Sequence, residues 1–459
     1  MITLRPYQAD IIERTRAALT QHKCVLITSP TGSGKTALAT LMLGNAAKKG
    51  RRSFFICHRV ELIEQTAAAF EKSGISFGLI AAGMRPDPYQ QVQICSVDTL
   101  KNRASNIQPP DFCVWDECHR VAAAGWSKLH GLYDKAYHIG LTATPERLDG
   151  QGLGKWFTYM VTGPTVKRLI EEGYLCDYKV YGVKKTPDFS GIKQKMGDYD
   201  IQAATALVDT PVITGDAISH YQRLCNGKRA VVFCLGVPHS RHVVEQFKSM
   251  GIPAEHVDGT TPREQRRETV NRFRKGETLV LCNVQIVHEG FDLADIEVVI
   301  MLRPTASLGL YLQMVGRALR PMKGKPYAII LDHVGNTKAE RHGLPCEERE
   351  WSLDAKKRKK KGEDKSPGIR QCPQCFHVHY FAPACPSCGF VYEIKNQRDI
   401  EVIDGELVEV DKEQMQRARY QEQGRAQTLD ELVALGHARG YKSPHYWAQK
   451  VMGNRRKTR

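Results

Sequence analysis

From residue 1 to about residue 335, short runs of consecutive apolar residues alternate with longer stretches of helical periodicity. CVLIT (Cys24–Thr28) precedes KTALATLMLGNAA, and SFFIC (Ser53–Cys57) precedes RVELIEQTAAAF. FCVW (Phe112–Trp115) and YHIGLTA (Tyr137–Ala143) follow. Apolar runs without polar alternation fit strands covered on both faces, as in a parallel sheet flanked by helices. The pattern resumes with RAVVFCL (Arg229–Leu235), TLVLCN (Thr278–Asn283), EVVIML (Glu297–Leu302) and YAIILD (Tyr327–Asp332). SRHVVEQFKSM and REQRRETVNRFRKG supply helical stretches between them. The pattern predicts two α/β domains of about 160 residues each. Their join is expected near Gly163–Asp177, and Lys184–Gly197 reads as a mobile loop.

After Gly335 the texture changes. AKKRKKKGEDKSPG (Ala355–Gly368) reads as a basic polar linker. IEVIDGELVEV (Ile400–Val410) alternates around Asp404-Gly405 and predicts a hairpin with a type I′ turn. The segment Arg417–Arg459 reads as helical. Thr428 with Glu431 makes a capping box, Gly440 a stop, and Ser443-Pro444 opens a last helix.

Composition changes this picture in one respect. Apolar residues at 42% and charged residues at 25% are ordinary for a soluble globular chain. The formal net charge of +16 is not, and it favours a polyanionic partner over solubility alone. No apolar run approaches the roughly 18–20 residues of a membrane span. The N-terminal MITLRPYQADIIERTR carries no signal-like apolar region. A cytoplasmic location is expected. Of the fourteen cysteines, all but one cluster of four read as reduced, mostly buried small residues.

Ser29–Thr36 reads SPTGSGKT between a strand-like and a helical run. Glycines there turn backbone N–H groups onto phosphates, and the helix N-terminus adds partial positive charge. Gly32, Ser33 and Gly34 would form the cradle. Lys35 would pair with the β/γ-phosphates, and the Thr36 hydroxyl would ligate Mg²⁺. Ser29 stands where the usual pattern opens with glycine. FCVWDECHRV (Phe112–Val121) supplies the second half of such a site at the end of a neighbouring strand. Asp116 would hold Mg²⁺ and Glu117 would polarise the attacking water. Cys118 is incidental to this chemistry, and His119 is expected to relay nucleotide state rather than bind metal.

Taken with LRPYQ (Leu4–Gln8), these motifs resemble those of the superfamily 2 helicases and translocases. ICHRVELIEQ (Ile56–Gln65), CSVDTL (Cys95–Leu100), GLTATPERLDG (Gly140–Gly150), CNVQIVHEGFDLADIEVVIMLRP (Cys282–Pro304) and LYLQMVGRALRP (Leu310–Pro321) extend the resemblance over roughly residues 1–335. RPTASLGLYLQMVGRALR and TLDELVALGHARGYKSP are most similar to bacterial RadD-type repair helicases and phage DEAD/DEAH-box helicases. The resemblance implies two tandem RecA-like (P-loop NTPase) domains with parallel sheets and ATP between them. It implies that Gln8 reads adenine, Thr142 and Thr144 couple the site to nucleic acid, and Gly290 and Asp292 sense nucleotide. It also implies that Gln313, Arg317 and Arg320 reach the γ-phosphate from the second domain. His288 and Glu289 stand where related helicases often carry threonines, so His288 receives no role.

RQCPQCFHVHYFAPACPSCGF spaces Cys372, Cys375, Cys385 and Cys388 as two CxxC knuckles, favouring a closed, structural Cys₄ zinc ribbon. His377 and His379 are alternative ligands, and a redox CxxC is a rival reading. The run Lys356–Lys361 fits either a nucleic-acid contact or a solvated linker. Tyr441, Tyr446 and Trp447 fit a base-contacting surface or, more simply, a packed helical pair.

The expected organisation is residues 1–165 and 166–335 as the two RecA-like domains, 336–368 as linker, 369–394 as ribbon and 395–459 as hairpin and helical tail. The expected function is an ATP-dependent DNA helicase or translocase, a monomer acting in repair, recombination or phage replication. DNA, and a single-strand-binding or repair protein, are the expected partners. An RNA helicase and a restriction-like motor subunit are the alternatives.

Overall fold

In the computed structural model, the residues described are 3–146, 152–183, 186–195, 197–284, 295–354, 368–392, 422–423, 425–438 and 443–457. They form two compact units, Met1–Tyr392 and Glu393–Arg459.

The first unit begins with helix α1 (Pro6–Leu19) and strand β1 (Cys24–Thr28), then α2 (Lys35–Lys48), β2 (Ser53–Cys57) and α3 (Val60–Lys72). β3 (Phe77–Ile80), β4 (Val92–Ser96), α4 (Val97–Arg103), β5 (Phe112–Asp116), α5 (Ala124–Leu132), β6 (Tyr137–Thr142) and β7 (Tyr159–Thr162) complete the first lobe. Its seven-stranded sheet runs β3-β4-β2-β5-β6-β1-β7, and every pairing is parallel. The β2 run SFFIC is buried at every position, as a strand covered on both faces must be.

Helix α6 (Val166–Glu171) leads across the predicted join into β8 (Asp177–Gly182). The second lobe continues through a small hairpin, β9 (Gln194–Lys195) and β10 (Asp198–Tyr199), and helices α7 (Ile201–Val208) and α8 (Pro211–Cys225). Then come β11 (Ala230–Phe233), α9 (Val237–Ser249), β12 (Ala254–Val257), α10 (Arg263–Lys275) and β13 (Val280–Asn283). β14 (Val298–Met301), α11 (Leu308–Ala318) and β15 (Tyr327–Asp332) close the lobe. Its sheet runs β12-β13-β11-β14-β15-β8-β17-β16, where β16 is Ile369–Gln371 and β17 is His377–Tyr380.

That last pairing corrects the expected segmentation. The cysteine ribbon is not a separate bead. Its strand β17 pairs antiparallel with β8, with His377 opposite Tyr181 and Val378 opposite Val180. The ribbon therefore continues the second lobe's sheet.

The expected linker also starts later than residue 336. Asn336 and Thr337 are buried, and the Asn336 amide donates to the Arg303 carbonyl at 2.9 Å. The chain then returns to the first lobe, where the Gly154 N–H donates to the Leu353 carbonyl at 2.8 Å. Leu353 packs on the cluster that contains Leu153, Trp156 and Phe157. The segment 336–354 is thus a strap joining both lobes. The basic run Lys356–Lys361 lies outside the described residues.

The expected loop Lys184–Gly197 is partly ordered by packing. Phe189 is buried, with the Arg341 guanidinium 4.8 Å from its ring centre. Asp198, at its end, accepts from Arg303 Nη2 at 3.1 Å and from the Ala306 N–H at 2.8 Å.

In the second unit, two helices, Leu429–Ala438 and Pro444–Lys457, pack through Leu432, Val433 and Ala448. The capping box is present: Glu431 Oε2 accepts from the Thr428 N–H at 3.0 Å, and Thr428 Oγ1 accepts from the Glu431 N–H at 3.2 Å. Trp447 packs against this small core, whereas Tyr446 is exposed. The predicted hairpin Ile400–Val410, the stop at Gly440 and Tyr441 lie outside the described residues. No described helix is long and apolar enough to cross a membrane.

Candidate active site

The order β5-β6-β1 sets three strand ends side by side at the carboxyl edge of the first sheet, where ligands of open α/β sheets bind. β1 delivers the loop 29–34, β5 delivers Asp116 and Glu117, and β6 delivers Thr142. Thr28 is in register with Thr142, and Asp116 with Leu141. The Ser29 N–H donates to the Thr142 carbonyl at 3.0 Å.

The loop's glycines have a conformational reason. Gly32 and Gly34 hold φ of 86° and 82°, a left-handed region that disfavours other residues. Gly34 is the N-cap of α2, so Lys35 opens that helix. Ser29, in the position where a glycine was expected, contributes a fastening: its hydroxyl donates to Ser33 Oγ at 2.7 Å, and both residues are buried. Thr36 is exposed on the first turn of α2.

The Lys35 ammonium donates to the Ser29 and Pro30 carbonyls at 3.1 and 3.3 Å. Burial pushes its pKa below the ordinary lysine value. The Glu117 and Asp116 carboxylates oppose that shift, and the Arg320 and Arg317 guanidiniums add to it. Four charged side chains from both lobes thus act on one ammonium. Gln313 and Arg317 are buried four residues apart on α11, hence on one helix face.

The two lobes meet closely here. A Cβ added to Gly316 of α11 would lie 2.6 Å from Thr31 Cβ. One added to Gly32 would lie 3.0 Å from Leu175 Cδ2 and 3.6 Å from Arg320 Cγ. Glycines at both positions let α11 sit directly on the phosphate loop. One added to Gly309 would lie 2.8 Å from Thr144 Oγ1, so the start of α11 also touches the segment after β6.

Glu117 has φ of 49°, in the left-handed region. A non-glycine residue held there marks a site whose surroundings over-determine the backbone. Its Oε2 lies 3.3 Å from His119 Nδ1, and the same nitrogen lies 3.3 Å from Thr142 Oγ1. Thr142 Oγ1 donates to the Thr144 carbonyl at 2.8 Å and accepts from the Thr144 N–H at 3.2 Å. Cys118 is fully buried, and its Sγ would meet a Cβ on Gly140 at 2.7 Å. It packs the core and faces away from polar chemistry.

Gln8 is buried and fastens the phosphate loop. Its Nε2 donates to the Ser33 carbonyl at 3.0 Å, and its Oε1 accepts from the Arg5 N–H at 3.0 Å. The Tyr7 hydroxyl donates to the same Ser33 carbonyl at 2.7 Å. The Arg5 guanidinium lies 4.8 Å from the centre of the Tyr174 ring. Gly290 and Asp292 lie outside the described residues.

Sequence reasoning missed two residues that shape this site. Gly316 is one, and a small residue beside Arg317 is the signal of close approach that the sequence offers. Lys325 is buried and donates to the carbonyls of Ala318 at 2.6 Å, Arg320 at 2.6 Å and Ile296 at 2.9 Å. It caps the end of the helix that carries Arg317. One of two lysines in PMKGKPY, it carries no such signal in the sequence.

The four ribbon cysteines come together. Their Sγ atoms all lie within 4.8 Å of one another, the one such group among the described residues. The Cys372–Cys388 and Cys375–Cys385 Sγ pairs are each 3.6 Å apart. A tetrahedral site with metal–sulfur bonds of about 2.3 Å has sulfur–sulfur edges of roughly 3.8 Å, so the donor set fits a tetrahedral ion. Burial opposes ionisation of Cys372, but the Cys375 and Gln374 N–H groups outweigh it and hold its pKa at about 6. His379 is engaged elsewhere, its Nδ1 2.6 Å from the Tyr380 carbonyl and its Nε2 2.6 Å from the Tyr392 hydroxyl. His377 is buried, with its ring beside Tyr181.

Residues 1–147 match the family model described as "Type III restriction enzyme, res subunit", and residues 216–322 match "Helicase conserved C-terminal domain". A "51.5 kDa protein" of a Lactococcus phage (isolate 7-9) is 34% identical over 392 residues, covering 85% of this chain and 83% of that protein. The "DNA 3'-5' translocase XPB2" of Sulfurisphaera tokodaii is 25% identical, over 70% of this chain and 79% of its own. Among solved structures, a fragment of a provisionally assigned HsdR subunit of a type I restriction enzyme from Vibrio vulnificus YJ016 superposes with a TM-score of 0.59 at 21% identity. That match covers 75% of this chain and 68% of the fragment, and it speaks to the fold alone.

Proposed function

Because the chain belongs to the superfamily 2 helicases of the DEAD/DEAH type, we propose that it is an ATP-dependent DNA helicase or translocase. Its work would be movement along or unwinding of DNA in repair, recombination or phage replication. The observation that carries this reading is the convergence of Asp116 and Glu117 from one lobe, and Arg317 and Arg320 from the other, on Lys35.

The residues divide the labour by their chemistry. The N–H groups of Gly32, Ser33 and Gly34 and the start of α2 cradle the phosphates. Lys35 leaves the Ser29 and Pro30 carbonyls to pair with them. Thr36 and Asp116 are the residues that would hold Mg²⁺, which when bound neutralises phosphate charge. Glu117 takes the proton of the attacking water. Gln313 and Arg317 of α11, and Arg320 just beyond its end, meet the γ-phosphate, and an arginine in such a place is worth about 10³–10⁵ in rate. They reach it only while α11 sits on the phosphate loop, so hydrolysis is tied to the spacing of the lobes. Gln8 and Tyr7 hold the loop at Ser33 while Gln8 senses adenine. Gly290 and Asp292 are assigned to nucleotide sensing on resemblance. Zn²⁺ held by Cys372, Cys375, Cys385 and Cys388 would supply a structural staple for the ribbon.

DNA is favoured over RNA by the likeness to a DNA translocase. Steady-state ATP hydrolysis measured with single-stranded DNA, forked DNA and RNA tests the choice. Stimulation by DNA well above RNA is expected, and stimulation by RNA alone would overturn it. A translocating subunit of a restriction-like system is the second reading, supported by the description of the family model matched by residues 1–147.

A further inference from the structure

The ribbon presents an aromatic face that neither the motor motifs nor the cysteine site uses. Phe381 is 64% exposed and Val391 is 70% exposed, unusual for large apolar side chains on so small an element. Phe381 is nevertheless held in place. Its N–H donates to the Gly368 carbonyl at 2.9 Å, and its ring lies against Gly368 with no room for a Cβ there. The Arg370 guanidinium lies 4.6 Å from the Phe381 ring centre and 4.0 Å from that of Tyr392. The result is a layered stack of tyrosine, guanidinium and phenyl ring whose outermost ring is open to solvent. Its base is rigid, because β16 pairs with β17 and β17 with β8 of the motor sheet.

A ring fixed in this way offers a π-face without the entropic cost of ordering it, and every nucleobase has a π-face to stack on it. The cation beneath suits a polyanionic strand. The alternative, a stack that merely covers the ribbon, leaves the exposure of Phe381 unexplained.

We infer that Phe381, backed by Arg370, is a base-stacking contact for single-stranded DNA on the zinc ribbon, separate from the ATP-driven path between the lobes. The inference rests on the proposed DNA-motor function and adds a second grip that travels with the second lobe. Its action is to hold the strand between power strokes, so it affects affinity more than turnover.

The test uses the full chain and a fluorescein-labelled oligothymidine at one salt concentration, since phosphate contacts depend on salt. Phe381→Leu keeps an apolar side chain over Gly368 but removes the ring, and zinc content checks that the ribbon is intact. Binding by anisotropy is expected to weaken about 5-fold or more. Phe381→Trp is expected to restore binding, with its added fluorescence quenched when the oligonucleotide is supplied. A change below about threefold in Phe381→Leu at wild-type zinc content overturns the inference, as does absence of quenching in Phe381→Trp at saturating DNA. Failure of the motor reading is distinct: it is wild-type protein whose hydrolysis does not respond to DNA.

Discussion

His119 Nδ1 lies 3.3 Å from Thr142 Oγ1, bridging the segment after β5, which carries Glu117, and the end of β6. The same nitrogen lies 3.3 Å from Glu117 Oε2, and Thr142 is fastened to Thr144, which the start of α11 touches. A continuous set of contacts therefore runs from Glu117 to the helix bearing Arg317. His119→Ala is expected to keep basal ATP hydrolysis and lose most of its stimulation by DNA. Cys118→Ala, which only trims the core against Gly140, is expected to retain stimulation. Equal loss in both variants in a DNA titration of ATPase rate would contradict the relay.

Gly316 makes a different demand. A methyl group there would meet Thr31 Cβ at 2.6 Å, and neither atom can swing away as a long side chain could. Gly316→Ala should hold the lobes apart and misplace Arg317. A misplacement of about 1 Å costs on the order of 10²-fold in rate. The turnover number of Gly316→Ala should fall by that order while its thermal midpoint stays near that of wild type. A variant with wild-type turnover would show that α11 need not rest on the phosphate loop.

Both lobes' strands are legible in sequence because parallel strands buried on two faces must be continuous apolar runs, as SFFIC and YAIILD are. The position of Asp116 and Glu117 at a strand end was legible because FCVW is a continuous apolar run, and β5 does end at Asp116. The ribbon's place was not, since pairing of His377 with Tyr181 is a long-range choice with no local signal. The strap was hidden for the same reason: Leu353 is one apolar residue in a polar stretch, and only the surface around Trp156 gives it a partner. Gln8 was found by motif, but its bonds to Ser33 and Arg5 come from the way α1 docks on the loop.

Loss of one ribbon cysteine is expected to separate stability from the motor's chemistry. Cys372→Ser leaves three thiols where the geometry provides for four. Roughly 20 residues cannot build a core without such a staple. Zinc content by atomic absorption should fall well below that of wild type. Because β17 pairs with β8, the thermal midpoint of the second lobe should drop as well. Full zinc occupancy in Cys372→Ser would argue against the Cys₄ set.

Stability should also fall in acid through a buried histidine. His138 Nδ1 accepts from the Trp115 indole N–H at 2.9 Å, and its Nε2 lies 2.9 Å from the Tyr133 carbonyl. An indole can only donate, so Nδ1 must be unprotonated. Burial first, and then the neighbouring His130, push the His138 pKa down to about 4. Above pH of about 6.5 the ring is neutral whether folded or unfolded, and its contribution is complete. As pH falls below that value the unfolded chain takes up a proton that the folded one refuses, and stability is lost until the folded pKa is reached. His138→Gln should flatten the fall of the thermal midpoint in that window. An unchanged slope would remove His138 from the account.

The most direct measurement is the rate of ATP hydrolysis by wild type and by Glu117→Gln, each with and without single-stranded DNA. The wild-type rate should rise with DNA, and the variant should lose about 10²–10⁴-fold of it, the usual contribution of a general base, while still binding nucleotide. Hydrolysis that ignores DNA, or that survives intact in Glu117→Gln, would contradict the account.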